Sequence, residues 1–161
     1  MPIKRIGFWC DPGEDHLDPH PADLRDPDWH PHHRVALIRY LENAPVLFAY
    51  LGYAYCRIEC GIDPREMGTR TLTDGIWAWP QGLAHYVRDH AIRLPDEFFA
   101  HAQEAGFEPR WNYPDEPEFE VPELDSTFWR TWAFKHFPRA ALDHSIEKHF
   151  VARAPSKRPA T

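Results

Sequence analysis

Two cysteines and two histidines in the middle of the chain are residue types that bind transition metals. Cys56 and Cys60 are separated by three residues, and His85 and His90 follow further along the chain. Zinc accepts two thiolates and two imidazoles in a tetrahedron, so this set predicts a site for zinc or another transition metal. The site requires a turn after Ile58, because an extended segment would hold the two sulfurs far apart.

Two observations argue against this metal site. The C-x3-C spacing differs from the common C-x2-C spacing, and His85 and His90 are about 140° apart around an ideal helix. The alternative is that both cysteines are small buried residues that hold no ion. From the sequence we therefore expect no cofactor, and a bound transition metal is the alternative.

A histidine and a carboxylate in the same segment form a candidate catalytic pair. His85 and Asp89 are four residues apart and can contact each other on a helix. A carboxylate that orients an imidazole prepares it for general-base chemistry. The nucleophile would be Cys56, Cys60, Thr73 or a water molecule, and no glycine-rich loop or nucleophile elbow selects one of them. Because such pairs are also common on surfaces, the sequence leaves open whether the protein is an enzyme.

Tryptophan is abundant, with 7 residues in a chain of 161. Trp and Tyr are typical anchors of protein interfaces, and acidic clusters at 11–28 and 115–125 flank the aromatic segments. An aromatic centre with an acidic rim suits a basic protein partner. The alternative is that each ring fills the core. The rings that we predict to form a partner-binding surface are Trp77, Trp79, Trp111 and Trp129.

The charge balance excludes two classes of partner. With 25 acidic and 18 basic residues, the formal net charge is −7. A nucleic-acid surface needs clustered lysine and arginine, so we expect no nucleic-acid partner. No apolar run approaches the ~18 residues of a spanning helix, and the N-terminus lacks the apolar region of a secretory signal. Three cysteines suit a reducing compartment, so we expect a cytoplasmic protein without membrane contact.

Residues 10–30 are rich in proline, acidic residues and histidine, and they show no apolar periodicity. We expect an extended N-terminal arm anchored by Trp29, Leu17 and Leu24. Its histidines and those that follow could hold a metal with Asp28, or they could be solvated groups that titrate near neutrality. These five histidines are His16, His20, His30, His32 and His33.

The remaining pattern predicts an α+β fold. Residues 46–58 are aromatic and β-branched with a break at Gly52, which indicates a strand, a bend and a second antiparallel strand. A turn at Asp74-Gly75 precedes a short strand that ends at Pro80. We therefore predict a small antiparallel sheet of two to three strands packed against about five helices. Residues 1–152 form the single domain and 153–161 a flexible basic tail, with helices over 31–43, 81–91, 95–105, 126–137 and 138–150.

One block of the chain resembles a block in small bacterial proteins of unassigned function. That pattern is Thr-Asp-Gly-x-Trp-x-Trp-Pro-x-Gly-Leu-x-His-Tyr-Val, followed by His and by Leu-Pro-x-x-Phe. The resemblance implies membership of such a family and no particular activity. In this sequence it includes Thr73, Asp74, Gly75, Trp77, Trp79, Pro80, Gly82, Leu83, His85, Tyr86, Val87, His90, Leu94, Pro95 and Phe98.

Size, acidity and cytosolic character are also similar to those of bacterial immunity proteins, which neutralise toxins. The sequence therefore favours a non-catalytic domain that binds a basic protein partner, such as an immunity protein. The alternative is a metal-dependent enzyme or a metal-stabilised domain that uses the cysteines and histidines described above.

Overall fold

The computed structural model describes residues 1–11, 17–112, 120 and 122–137. These residues form an α+β fold of five strands and five α-helices. The strands are β1 (Ile3–Arg5), β2 (Val46–Ala49), β3 (Arg70–Thr73), β4 (Trp77–Pro80) and β5 (Leu124–Asp125). The helices are α1 (Arg34–Glu42), α2 (Pro64–Met67), α3 (Leu83–His90), α4 (Asp96–Glu104) and α5 (Thr127–His136), with 3-10 helices at Pro21–Leu24 and Pro31–His33.

The five strands form one mixed sheet in the order β2–β3–β4–β1–β5. Strands β2, β3 and β4 pair antiparallel, whereas β1 pairs parallel with both β4 and β5. The predicted antiparallel sheet of two to three strands was therefore too small and lacked the parallel half. The reason is length: β1 has three residues, two of them charged, and β5 has two, so neither shows an apolar period.

The segment 46–58 contains one strand instead of the predicted strand pair. The pairing of β2 with β3 ends at Ala49, and residues 50–63 form no helix or strand. Tyr50, Leu51, Tyr53 and Tyr55 are exposed in this loop. The aromatic pattern that predicted a second strand thus belongs to a loop surface, and the partner of β2 is β3.

The hairpin between β3 and β4 forms at the predicted Asp74-Gly75 turn. Thr73 Oγ1 accepts from Gly75 N at 2.9 Å, and Asp74 Oδ1 accepts from Ile76 N at 2.9 Å and Trp77 N at 2.7 Å. Gly75 has a φ of 90°, which only glycine adopts readily, and a Cβ there would meet Trp111 Cδ1 at 2.4 Å. Side chains of the turn therefore satisfy its own backbone donors.

The helices cover the sheet face that carries Trp77 and Trp79. Both rings are buried, at 1% and 0% exposure, and Trp129 is also at 0%. Trp79 Nε1 donates to the Leu41 carbonyl and Trp129 Nε1 to the Phe8 carbonyl, so their polar atoms are satisfied inside the protein. The prediction that these three rings form a partner-binding surface was wrong, and they belong to the core. Trp111 is half-buried against a second, smaller cluster on the other sheet face.

Most of the N-terminal arm packs against the domain. Leu24 is fully buried and Trp29 is 8% exposed, whereas the predicted anchor Leu17 is 57% exposed. The buried carboxylate of Asp18 accepts from Arg5 at 2.6 Å and from Arg130 at 2.8 Å, which connects the arm to β1 and α5. The predicted anchors Trp29 and Leu24 are therefore confirmed and Leu17 is not, and the 3-10 helix Pro21–Leu24 interrupts the predicted extended conformation.

The helices predicted over 31–43, 81–91, 95–105 and 126–137 correspond to α1, α3, α4 and α5. Helix α2 falls in a segment that carries no apolar period, and Asp63 caps it by accepting from Arg65 N. The helix predicted over 138–150 and the tail at 153–161 lie outside the described residues. Among the described helices, none has the length and apolar content needed to cross a membrane.

Candidate metal centre

Two of the four predicted metal ligands lie on helix α3. The residues from Leu83 to Val87 are all buried, so the first turns of the helix are surrounded by protein. His85 is 3% exposed, and His90 is the last residue of the helix, where it is half-buried. Ala91 follows in the left-handed conformation and ends the helix. The two imidazoles therefore occupy the middle and the end of one short helix.

The two cysteines lie on either side of a tight turn in the loop 50–63. Glu59 N donates to the Cys56 carbonyl at 3.0 Å, which closes a turn over Arg57 and Ile58. Glu59 has a φ of 57°, in the left-handed region that residues with a Cβ seldom adopt. The turn is centred on Arg57 and Ile58, slightly before the predicted turn after Ile58, and it reverses the chain between the two cysteines. Cys56 is buried and Cys60 is exposed.

The turn brings both sulfurs to the histidines of α3. Cys56 Sγ lies 3.5 Å from His90 Nε2, and Cys60 Sγ lies 3.4 Å from His85 Nε2. One ligand atom from each residue lies within 4.8 Å of all the others. Tetrahedral zinc with ordinary bond lengths would separate sulfur from nitrogen by about 3.6 Å and the two sulfurs by about 3.8 Å. Two of the sulfur–nitrogen separations thus match those of a zinc site, and no two of the four ligand atoms are more than 4.8 Å apart.

The helical argument against pairing His85 with His90 was wrong. Their ring centroids are 4.9 Å apart, and the ring planes are nearly perpendicular at 87°. The angle of about 140° refers to the helix axis, whereas an imidazole extends well beyond the helix surface. The two imidazole rings can therefore approach each other at a point outside the helix surface, and the two sulfurs lie near that point.

Asp89 orients the His85 ring. Its Oδ2 lies 2.7 Å from His85 Nδ1, so Nδ1 carries the proton and Nε2 is free to face Cys60. A carboxylate behind a ligating histidine is the usual arrangement at protein zinc sites. The predicted His85–Asp89 contact is thus present, and it presents the nitrogen that a metal would use.

The surroundings of His90 favour its neutral form. Burial lowers the pKa of His90, with further lowering from His85 and Arg25 and a smaller opposing effect from Asp89. A neutral imidazole is the form that ligates a metal, because its nitrogen lone pair must be free.

Tyr86 supports the Cys56 side of the cluster, and the sequence reasoning gave it no role there. Its hydroxyl accepts from Arg57 N at 2.8 Å and hydrogen-bonds the Cys56 side chain. Burial raises the pKa of Tyr86, the hydrogen bond from Arg57 N opposes this rise, and the contacts with Cys56 add to it, so the hydroxyl keeps its proton for donation to sulfur. The signal available in the sequence was position, because Tyr86 directly follows a ligand on the same helix.

The histidines of the arm do not form a second site. His30 stacks on Phe99 at a centroid distance of 3.6 Å, and His33 packs edge-on against the same ring. Within the described part of the chain, the only group of three or more metal-ligating side chains is that of Cys56, Cys60, His85 and His90. His16 lies outside the described residues.

The predicted catalytic residues coincide with this metal site. Cys60, His85 and Asp89 form a continuous line of sulfur, imidazole and carboxylate. The other nucleophile candidate, Thr73, is buried, and its hydroxyl donates to the Trp77 carbonyl at 2.7 Å. Of the candidate nucleophiles, a cysteine is therefore the one that contacts the histidine.

Comparison of the chain with models of protein families, with curated proteins and with solved structures finds no match in any of the three. The resemblance of the Thr73–Phe98 block to a family of small bacterial proteins therefore stays a prediction.

Proposed function

We propose that this protein is a zinc-binding domain in which Cys56, Cys60, His85 and His90 hold one ion. The observation that supports the proposal is convergence: four ligand atoms from two distant segments lie within 4.8 Å of one another. A single thiol–imidazole hydrogen bond would explain one short sulfur–nitrogen distance. Two such pairs meeting at one point, with perpendicular rings, are the arrangement that a tetrahedral ion requires.

The ligand count favours a structural role for the ion. Catalytic zinc sites use three protein ligands and leave a fourth position for water or substrate, whereas structural sites use four. Two cysteines and two histidines fill the tetrahedron. The ion would then tie the loop 50–63 to helix α3, and that loop has no regular secondary structure of its own.

The partner-binding hypothesis has less support than the metal site. Trp77, Trp79 and Trp129 are interior, so they present no surface to a partner. Binding of a basic protein, as by an immunity protein, would have to use other groups.

The zinc content of the purified protein tests the proposal. Protein purified without chelator should contain about one zinc ion per chain, measured by inductively coupled plasma mass spectrometry. Cys60→Ser should contain far less, because it removes one ligand at an exposed position and leaves the core unchanged. Cys10→Ala removes a cysteine outside the cluster and should keep the full zinc content. Equal zinc content in wild type and Cys60→Ser would contradict the proposal.

The carboxylate behind His85 should control the affinity for zinc. Asp89→Asn keeps an acceptor for His85 Nδ1 but removes the charge that raises the basicity of the ligand. We expect the Kd for zinc to rise by about 10–100-fold, measured by competition with a chromophoric chelator. Glu42→Gln removes a carboxylate that pairs with the neighbouring Arg88, and it should leave the Kd unchanged. Equal affinity for zinc in Asp89→Asn and wild type would show that Asp89 does not contribute to zinc binding.

The same geometry favours a second candidate function, thiol-based catalysis. Cys60 is exposed, its sulfur lies 3.4 Å from His85 Nε2, and Asp89 orients the ring from behind. A nucleophile, a base and an orienting group in this order can perform acyl transfer. The zinc measurement separates the two functions, because an ion bound to His85 Nε2 would occupy the lone pair that the base needs to take a proton from Cys60. Metal-free protein with full stability would favour catalysis.

A further inference from the structure

A cavity of about 320 Å³ lies beside the candidate metal centre. Its walls come from residues 7–9, from the loop residues 50, 52–55 and 57, from 67–71 and 80–82, and from Tyr86. This volume lies at the lower end of the range of small-molecule sites, and it would hold a ligand with one ring. The cavity shares Arg57 and Tyr86 with the surroundings of the cysteines, but none of the four metal ligands lines it.

Six of the residues that line the cavity are aromatic. Tyr53 and Tyr55 are more than half exposed, so their rings face an opening, and Trp9 and Tyr86 pack together deeper inside with centroids 5.0 Å apart. Exposed tyrosines that surround a concave surface are unusual in a monomer unless they bind something. Flat apolar walls select a flat ligand, because ring stacking gains contact area on both faces.

The charge of the cavity is opposite to that of the protein. The chain has 25 acidic residues and a net charge of −7, yet the described residues of the lining include two arginines and no carboxylate. Arg57 stacks over Tyr55 at 4.1 Å and pairs with Asp11 at 3.2 Å. Arg70 is exposed and has no ion-pair partner within the described parts of the chain. A free guanidinium beside aromatic rings favours an anionic ligand, which it can hold through two parallel hydrogen bonds.

Two further side chains of the lining, Trp9 and Gln81, offer hydrogen-bond donors. The Trp9 indole Nε1 is buried and has no acceptor among the described residues, which costs free energy in the empty cavity. Gln81 Oε1 is used by the backbone N of Thr69, so the amide of Gln81 offers the donor side of its group. A ligand with several acceptor oxygens would satisfy donors that the protein leaves without partners.

We propose that this cavity binds a small aromatic ligand that carries an anionic oxygen group, with the ring between the tyrosines and the anion at Arg70. The proposal goes beyond zinc binding, since it rests on residues that hold no metal. It defines a ligand class by its chemistry: one planar ring and a phosphate, sulfonate or carboxylate.

Calorimetric titration of the zinc-loaded protein with phenyl phosphate tests the proposal. We expect a Kd on the order of 0.1–1 mM, as suits a ligand of this size. Phenol and inorganic phosphate, which each carry half of the ligand, should bind at least about ten-fold more weakly. In ¹H–¹⁵N spectra the indole N–H of Trp9 should shift on addition of phenyl phosphate, which locates the ligand.

Matched variants identify the groups responsible. Arg70→Met should weaken phenyl phosphate binding by about ten-fold or more, because it removes the guanidinium from an exposed position. Arg65→Met removes an arginine of similar exposure on α2, outside the cavity, and should bind as wild type does. Equal binding by wild type and Arg70→Met, or binding of phenol as tight as that of phenyl phosphate, would overturn the proposal. Zinc content measured on the same sample keeps this result separate from the metal proposal, because full zinc without phenyl phosphate binding contradicts the cavity proposal alone.

Discussion

Removal of zinc from the wild-type protein with a chelator is expected to lower its free energy of unfolding by about 4 kcal/mol. That value applies to a ligand present at a thousand times its Kd and bound only by the folded state. For a chain of this length it corresponds to a fall in Tm of about 8–16 °C, measurable by differential scanning calorimetry. The protein should stay folded, because nearly all buried residues of its main core lie outside the loop 50–63.

The loss of protection should be local. Within 50–63 only a few backbone hydrogen bonds connect the loop to the rest of the protein, such as Ala54 N to Gly68 O and Arg57 N to the Tyr86 hydroxyl. Amide hydrogen exchange should therefore accelerate in this loop and at the end of α3, while β3 and β4 keep their protection. The Glu59 backbone, held in the left-handed region, is expected to relax when the turn is released.

Two variants control this experiment. Cys60→Ser should have the lower Tm before any chelator is added and should change little afterwards. His32→Ala removes an exposed histidine outside the cluster and should respond to the chelator as wild type does. If the chelator left the Tm of wild type unchanged, a structural ion at this site would be excluded. Return of the Tm on addition of zinc would show that the ion causes the stabilisation. Visible absorption of cobalt bound in place of zinc would show that the ligands include thiolates in a tetrahedral arrangement.

The second large effect is expected from Asp74→Ala, which should lower the free energy of unfolding by about 3–5 kcal/mol. The Asp74 side chain is 2% exposed, and its Oδ1 accepts from two backbone amides of the hairpin turn. Its Oδ2 accepts from the Tyr40 hydroxyl at 2.6 Å and lies 3.2 Å from His101 Nε2. Alanine would leave these donors without an acceptor, and each buried one costs about 1–3 kcal/mol.

Urea denaturation monitored by tryptophan fluorescence measures this loss. Asp74→Asn keeps one acceptor oxygen for the turn amides, so it should cost less than Asp74→Ala. Asp63→Ala removes a carboxylate at the more exposed start of α2 and should cost about 1 kcal/mol, the usual value of a helix cap. A cost for Asp74→Ala no larger than that of Asp63→Ala would mean that the turn is stabilised by its backbone alone.

The candidate metal site and the Asp74 turn involve different parts of the Thr73–Phe98 block. The Thr-Asp-Gly portion forms the hairpin turn, where Asp74 holds the backbone and Gly75 allows the close approach of Trp111. The His-Tyr-Val portion and the following His90 belong to α3, where they supply two of the four candidate ligands and the hydroxyl beside Cys56. The block therefore contributes both to the fold, through its turn, and to the candidate metal site, through two of the four candidate ligands.

The burial of the tryptophans could not be read from the sequence. An indole ring has both a large apolar area and a polar N–H, so the same residue serves in a core or at an interface. Position along the strand does not decide the question either, because Trp77 and Trp79 alternate with Ala78, which is buried on the other face. Trp77 and Trp79 are buried because the helices pack against the face of the sheet on which these two rings lie.

The sequence by itself determined the elements with a strong local period and the chemical types of the site. Helices α1, α3, α4 and α5 and the hairpin turn follow from short-range patterns, and two thiols with two imidazoles are residue types that zinc accepts. The tertiary structure decided whether they meet at all. The parallel pairing of β1, the meeting of Cys56 and Cys60 with the histidines of α3, and the cavity beside them each join residues that are distant in sequence, and a local pattern contains no information about such contacts.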